Sequence, residues 1–114
     1  MITLYGIKNC DSVKKATKYL NALGIEYTFF DYKKELPNSD LLESWVADFG
    51  WDTVLNKRGT TYRKLDEHIK KNLNRDNVVE ILLAHPSAIK RPILSTQKTT
   101  LIGFNADEYA NTLK

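Results

Sequence analysis

The chain of 114 residues contains a single cysteine, Cys10. One thiol cannot close a disulfide within the chain, so a disulfide-stabilised scaffold is excluded and any disulfide must include a thiol from outside. The two histidines lie far from Cys10 in sequence and supply no ligand cluster with the spacing of a zinc site. We therefore predict that the protein holds no metal.

Long apolar runs and a strong excess of charge are also missing. No apolar stretch approaches the roughly 20 residues of a membrane helix, and the N-terminal residues lack the basic segment and cleavage site of a secretion signal. The net charge is only +3, from 17 basic and 14 acidic residues, and the two signs interleave instead of forming a basic face. We expect a cytoplasmic monomer that binds neither membranes nor nucleic acid.

The first third of the chain has the pattern of a strand, a helix and a second strand. Residues 2–5 and 25–32 have the alternation and the β-branched and aromatic content of strands. Between them, apolar residues recur three and four positions apart, which predicts a helix that Asp11 or Ser12 caps and Gly24 ends. Such a unit normally forms a right-handed crossover between parallel strands.

The rest of the chain is predicted to be a helical insertion followed by a hairpin. The insertion covers about residues 38–86. Residues 89–94 and 100–104 are short apolar runs joined by a polar turn, which favours an antiparallel hairpin. Asn105 then caps a final helix. The order βαβ, helical insertion, ββα predicts an α/β fold with a thioredoxin-like mixed sheet, in one domain that spans the whole chain.

Cys10 follows the first strand and directly precedes the first helix. Free cysteines are often buried structural residues, but the polar neighbours Lys8 and Asn9 argue against an apolar interior here. The positive end of a helix dipole favours the thiolate form, which is the reactive one. A Cys-x-x-Cys pair would need a second cysteine at Val13. The expected chemistry is therefore a monothiol cycle completed by an external thiol such as glutathione.

Two arginines are candidates for anion binding. Pro92 interrupts an apolar strand, and a proline in that place usually has a positional role. In a thioredoxin-like sheet, a cis proline there faces the reactive cysteine, so Arg91 would bring its guanidinium close to bind an oxyanion or a glutathione carboxylate; the alternative is a surface arginine. The second candidate is the predicted loop 54–61, which either presents Arg58 and Thr60 to an anion or is a plain turn around a glycine with positive φ.

Three segments together resemble the arsenate reductase (ArsC) family. They are GIKNCDSVKKA, LNKRGTTYRKL and HPSAIKRPIL, and they follow one another in the order and spacing of that family over nearly the whole chain. The nearest branch is that of the YffB-like proteins, with the Spx regulators as a sister branch. The resemblance implies a thioredoxin-like fold, Cys10 as the nucleophile, Arg91 before a cis Pro92, and a ligand site that includes Lys8, Asn9, Arg58 and Thr60.

The chain departs from arsenate reductases at two positions. Those enzymes use two further arginines around the oxyanion, and these positions fall at Asn56 and near Gly103. We therefore expect a glutathione-dependent thiol oxidoreductase, with glutathione as co-substrate, no bound cofactor and glutaredoxin as a further partner. The alternatives are a glutaredoxin-coupled arsenate reductase and an Spx-like regulator that binds RNA polymerase. Val13 argues against the latter because it removes the Cys-x-x-Cys switch.

Overall fold

The computed structural model describes residues 2–113. The chain divides into two compact units. The first lies within Met1–Tyr32 and Arg91–Lys114, and the second is Lys33–Lys90. The predicted helical insertion at about 38–86 falls inside the second unit. Among the described residues, no helix is both long enough and apolar enough to cross a bilayer.

The first unit contains a mixed sheet of four strands in the order β2-β1-β3-β4. Strand β1 is parallel to β2, whereas β3 is antiparallel to both β1 and β4. This arrangement confirms the predicted parallel crossover and the predicted antiparallel hairpin. The strands are β1 (Thr3–Gly6), β2 (Thr28–Asp31), β3 (Ile93–Ser95) and β4 (Thr100–Ile102).

Two helices belong to the first unit, α1 (Asp11–Ala22) and α7 (Ala106–Thr112). The apolar positions of α1 pack against alternate residues of β1 and β3, because strand side chains two apart share a face. Asn105 caps α7 as predicted, accepting a hydrogen bond from the backbone N–H of Glu108 at 3.0 Å. The buried cluster consists of Leu4, Ala16, Leu20, Leu94 and Tyr109.

The end of β1 and the start of α1 differ from the predictions. The strand runs one residue beyond the predicted 2–5, because Gly6 lies in β1 and pairs with Asp31. Asp11 and Ser12 were expected to cap the helix, but Cys10 itself is the N-cap residue, and its side chain makes no capping hydrogen bond. The helix begins one residue earlier than the capping propensities of aspartate and serine indicate.

The end of α1 follows the prediction. Gly24 has φ 69°, a conformation that glycine adopts without steric cost. The backbone N–H of Ile25 then bonds to the carbonyl of Leu20 at 3.1 Å. Because this bond ties Ile25 to the helix end, the second strand starts only at Thr28 and is shorter than the predicted 25–32.

The second unit is helical, as predicted. Asn38 accepts a hydrogen bond from the N–H of Leu41 at 2.8 Å and caps the first helix there, and Gly50 ends it with φ 91°. A short 3₁₀-helix at Pro86–Ala88 closes the unit. The α-helices are α2 (Ser39–Phe49), α3 (Trp51–Val54), α4 (Thr60–Arg63), α5 (Glu67–Lys71) and α6 (Val78–Ala84).

The later helices of this unit, α5 and α6, are short. Asp66 accepts a hydrogen bond from the N–H of His68, so α5 starts only after Asp66. Asn74 accepts from the N–H of Asp76, while Asn77 accepts from the N–H of Asn74. Such local side-chain bonds compete with helical ones, and they delay α6 to Val78.

Candidate active site

The strand directions bring three segments of the chain to one edge of the sheet. Strands β1 and β2 are parallel, so both end at this edge, and the antiparallel β3 begins there. We call this the site edge. Its residues are the loop 7–10 after β1, Tyr32 after β2, and Arg91 and Pro92 before β3.

Cys10 occupies the end of the loop and the beginning of α1. Its backbone N–H bonds to the carbonyl of Ile7 at 3.2 Å, and its own carbonyl accepts the N–H of Lys14 at 2.9 Å. The residue is partly exposed, so the alternative of a buried structural cysteine is wrong. Cys10 therefore lies at the positive end of a 12-residue helix. Its nucleophilic role stays a prediction.

A close contact between β1 and α1 fixes the position of this helix. A Cβ atom at Gly6 would lie 2.7 Å from Cγ2 of Val13. Glycine therefore allows the first turn of α1 to approach the strand more closely than any other residue would. Val13 is buried, and it stands where a second, resolving cysteine of a Cys-x-x-Cys pair would be.

Arg91 and Pro92 begin the third strand. The peptide bond between them is cis. Pro92 is buried and Arg91 is half-buried, and the carbonyl of Pro92 accepts a hydrogen bond from the N–H of Gly103 at 2.8 Å. The short β3 starts at Ile93, later than the predicted strand 89–94.

Tyr32 is a member of the site edge that sequence reasoning missed. Its backbone N–H bonds to the carbonyl of Gly6 at 2.9 Å, and its ring contacts Phe30 edge-on, with 6.3 Å between centroids. Only 3% of the residue is exposed. Burial and the neighbouring Tyr5 raise the pKa of Tyr32, and the positive charge of Arg91 acts in the opposite direction. Tyr32 follows β2 and Arg91 precedes β3, so the two residues lie at the same edge on either side of β1.

The alternation of side chains along β2 could have indicated from the sequence that Tyr32 belongs to the site edge. Tyr32 follows Phe30 by two positions and shares its side of the sheet, and it comes directly after a strand that ends at the same edge as the Cys10 strand. The aromatic content of the segment 25–32 instead indicated an ordinary core tyrosine.

The ArsC family matches residues 5–112. The chain belongs to the ArsC family. A YffB protein of known structure is 46% identical, with a TM-score of 0.95 over 100% of both chains. An uncharacterized protein of Haemophilus influenzae is 46% identical over 109 residues, which are 96% of each chain. The global transcriptional regulator Spx 1 of Oceanobacillus iheyensis is 28% identical over 110 residues, 95% of this chain and 83% of that protein.

These similarities confirm the predicted branch and the predicted fold. The chain is YffB-like within the ArsC family, and the Spx regulators are more distant relatives. Its fold is thioredoxin-like, as the order of the elements predicts.

The remaining candidates of the ArsC-type site lie in two places. Lys8 and Asn9 are exposed in the turn immediately before Cys10. Arg58 and Thr60 are exposed in the second unit, where Thr60 begins α4. The participation of these four residues in ligand binding stays a prediction.

The loop around Arg58 is organised by Asn56. The side-chain oxygen of Asn56 accepts the backbone N–H of Arg58 at 3.3 Å, and the carbonyl of Arg58 accepts a hydrogen bond from Arg63 at 2.8 Å. Gly59 has φ −80°, so the positive φ expected for a plain turn at this glycine is wrong, while anion binding by the loop stays a prediction.

The two positions at which ArsC-family arsenate reductases have further arginines are used differently here. Asn56 holds the Arg58 loop and donates its backbone N–H to the carbonyl of Ala88 at 2.7 Å. Gly103 has φ 78°, which disfavours any residue with a side chain. Gly103 therefore donates its backbone N–H to the carbonyl of Pro92 and adds no charged side chain to the site edge.

The contact between Gly6 and Val13 gives a test of how α1 is positioned. We expect Gly6→Ala to lower the free energy of unfolding by about 1–3 kcal/mol, because the added methyl overlaps the Val13 side chain. In Gly6→Ala/Val13→Ala the overlapping Cγ atoms are gone, so the double variant should lose less stability than the sum of the single variants. Urea unfolding of all four proteins measures this, and additive losses would contradict the contact.

Proposed function

We propose that this ArsC-family protein is a glutathione-dependent thiol oxidoreductase with Cys10 as its single nucleophile. The observation that supports the proposal most is the placement of Cys10. It is the partly exposed N-cap residue of α1, at the same sheet edge as Arg91. A thiolate at a helix N-terminus near cationic groups has the properties that thiol–disulfide exchange needs.

The proposed cycle has two exchange steps. The Cys10 thiolate attacks the glutathionyl sulfur of a substrate mixed disulfide; the new S–S bond forms, the old one breaks, and the substrate leaves as a thiolate that takes a proton from water. A glutathione thiolate then attacks the glutathionyl sulfur on Cys10. Oxidised glutathione forms, and Cys10 leaves as thiolate. Over the two steps one glutathione thiol is oxidised into the new disulfide and the substrate sulfur is reduced to a thiol, so no bound cofactor is needed.

Val13 explains why the second thiol must come from outside. It stands three residues after Cys10 and is buried against Gly6, so the chain has no resolving thiol in the first turn of α1. Glutathione, or glutaredoxin as a protein partner, would supply it. A reducing cytoplasm maintains the thiol pool that such a cycle requires.

Arg91 is the proposed binding residue for the glutathione carboxylate. A guanidinium offers parallel N–H donors that match a carboxylate, a geometry that lysine lacks. Lys8 and Asn9, in the exposed turn before Cys10, are proposed to contact the same ligand.

Arsenate reduction ranks lower as a function. An arsenate oxyanion carries more charge than a single carboxylate and needs more cationic donors, whereas Asn56 and Gly103 replace two of the arginines. An Spx-like role in binding RNA polymerase also ranks lower. The similarity to the regulator Spx 1 favours it, but Val13 removes the Cys-x-x-Cys switch.

Adduct formation tests the function directly. We expect oxidised glutathione to form one glutathionyl adduct on Cys10, seen by intact-protein mass spectrometry, and excess reduced glutathione to remove it. Cys10→Ser should form no adduct and should not reduce a glutathionylated peptide. A wild-type protein that forms no adduct, or that turns over no faster than Cys10→Ser, would sink the proposal.

Arg91 variants separate charge from geometry. Arg91→Ala should slow alkylation of Cys10 by iodoacetamide at neutral pH, because a cation near the thiolate is lost. Arg91→Lys keeps the charge, so alkylation should stay fast, while KM for the glutathionylated peptide should rise about tenfold with the loss of a charge-assisted hydrogen bond.

Arg75→Ala is the matched control for both measurements. Arg75 pairs with Glu43 in the second unit at 2.7 Å, so its loss should change neither the alkylation rate nor KM. If Arg91→Ala behaved like Arg75→Ala, Arg91 would have no role at the thiol.

A further inference from the structure

The hydroxyl of Tyr32 is a buried polar group without a hydrogen-bond partner among the described residues. Leaving such a group unpaired costs about 1–3 kcal/mol, and in native proteins it calls for an explanation. The hydroxyl of Tyr109 is in the same condition, so the two tyrosines can be compared.

The surroundings of the two hydroxyls differ. Tyr109 belongs to the apolar cluster under α1, and its ring contacts Phe104 and Tyr19 with 5.0 and 6.0 Å between centroids. Tyr32 lies at the site edge, where its backbone N–H bonds to Gly6, and Arg91 lies at the same edge on the other side of β1.

The sheet register places Tyr32 on the face opposite to α1. Tyr5 is the cross-strand partner of both Phe30 and Ile93, and its ring lies 5.1 Å from that of Phe30. Because side chains alternate along a strand, Tyr5 and Phe30 face away from Leu4 and from the buried cluster that contains it. Tyr32 contacts Phe30 on this face, and Arg91 precedes Ile93 by two residues.

We propose that the Tyr32 hydroxyl and the Arg91 guanidinium form one anion-binding site at the site edge, in which Tyr32 donates its hydrogen to the anion that Arg91 binds. The assignment of this anion to the thiol substrate of Cys10 rests on the function proposed above. An anion held beside the guanidinium would accept the hydrogen of the phenol, and it would supply the partner that the Tyr32 hydroxyl lacks among the described residues.

The protonation of Tyr32 suits this role. Burial raises the pKa of Tyr32 above its ordinary value, so the phenol keeps its hydrogen over the whole range in which a cytoplasmic protein works. It is a neutral donor and does not repel the anion.

Two ligands share the required chemistry, the carboxylate of a thiol peptide and a tetrahedral oxyanion. S-Methylglutathione is the probe for the first, because its blocked sulfur cannot form a disulfide and the titration reports binding alone. Inorganic phosphate is the probe for the second. Dissociation constants for both probes are measured on the full chain by isothermal titration calorimetry.

Tyr32→Phe and Tyr109→Phe form a matched pair, since each removes one buried, unpartnered hydroxyl and keeps the ring. We expect Tyr32→Phe to raise the dissociation constant of S-methylglutathione, of phosphate or of both about five- to tenfold, which corresponds to one lost hydrogen bond. The probe whose dissociation constant rises shows whether the site binds a peptide carboxylate or a tetrahedral oxyanion. Tyr109→Phe should bind both probes like the wild type.

Three results would overturn the site: Tyr32→Phe binds both probes like the wild type, Tyr109→Phe loses as much affinity, or the wild type binds neither probe. Unfolding midpoints in urea show that both variants are folded. The experiments also distinguish rejection of the anion site from rejection of the proposed function. Weaker phosphate binding in Tyr32→Phe without any glutathionyl adduct on wild-type Cys10 would keep the site and reject the function. A normal glutathionyl adduct on wild-type Cys10, together with unchanged binding of both probes by Tyr32→Phe, would keep the function and reject the site.

Discussion

The pairing of β1 with a parallel neighbour on one side and an antiparallel neighbour on the other is the constraint on which the site depends. It makes two strands end and a third begin at a single edge. Cys10 near the start of the chain and Arg91, 81 positions later, therefore lie at the same edge of one sheet. A hairpin in place of the crossover between β1 and β2 would send Tyr32 to the opposite edge.

The loop after β1 turns this topology into a candidate reaction centre. Gly6 lets the first turn of α1 lie close to β1. Cys10 stands at the N-terminus of this helix, where the first backbone N–H groups have no partner within the helix. Val13 in the same turn is buried, so the helix that begins at Cys10 offers it no second thiol. The two properties together favour a monothiol cycle over the dithiol cycle of a Cys-x-x-Cys protein.

The sequence predicted the order of the elements, the position of Cys10 before a helix and the importance of Arg91 and Pro92, because these depend on local patterns and on a family resemblance. It failed where a tertiary contact decides. Gly6 extends the first strand and lies against Val13 of α1, and Cys10 is the N-cap residue in place of Asp11 or Ser12. In the second unit, α5 and α6 are short because asparagine and aspartate side chains bond locally. Tyr32 looked like a core aromatic because its unpartnered hydroxyl and the nearby Arg91 charge exist only in the fold.

The central claim is that the site edge of the first unit binds the thiol substrate, and chemical-shift mapping tests it most directly. Addition of S-methylglutathione to ¹⁵N-labelled protein should shift the backbone amides of Cys10, Tyr32 and Arg91 and their neighbours. The turn between β3 and β4, closed by Thr96 and Thr99 at 2.8 Å, lies at the other end of β3 and should not respond. Shifts centred on that turn with none at Cys10 would contradict the account.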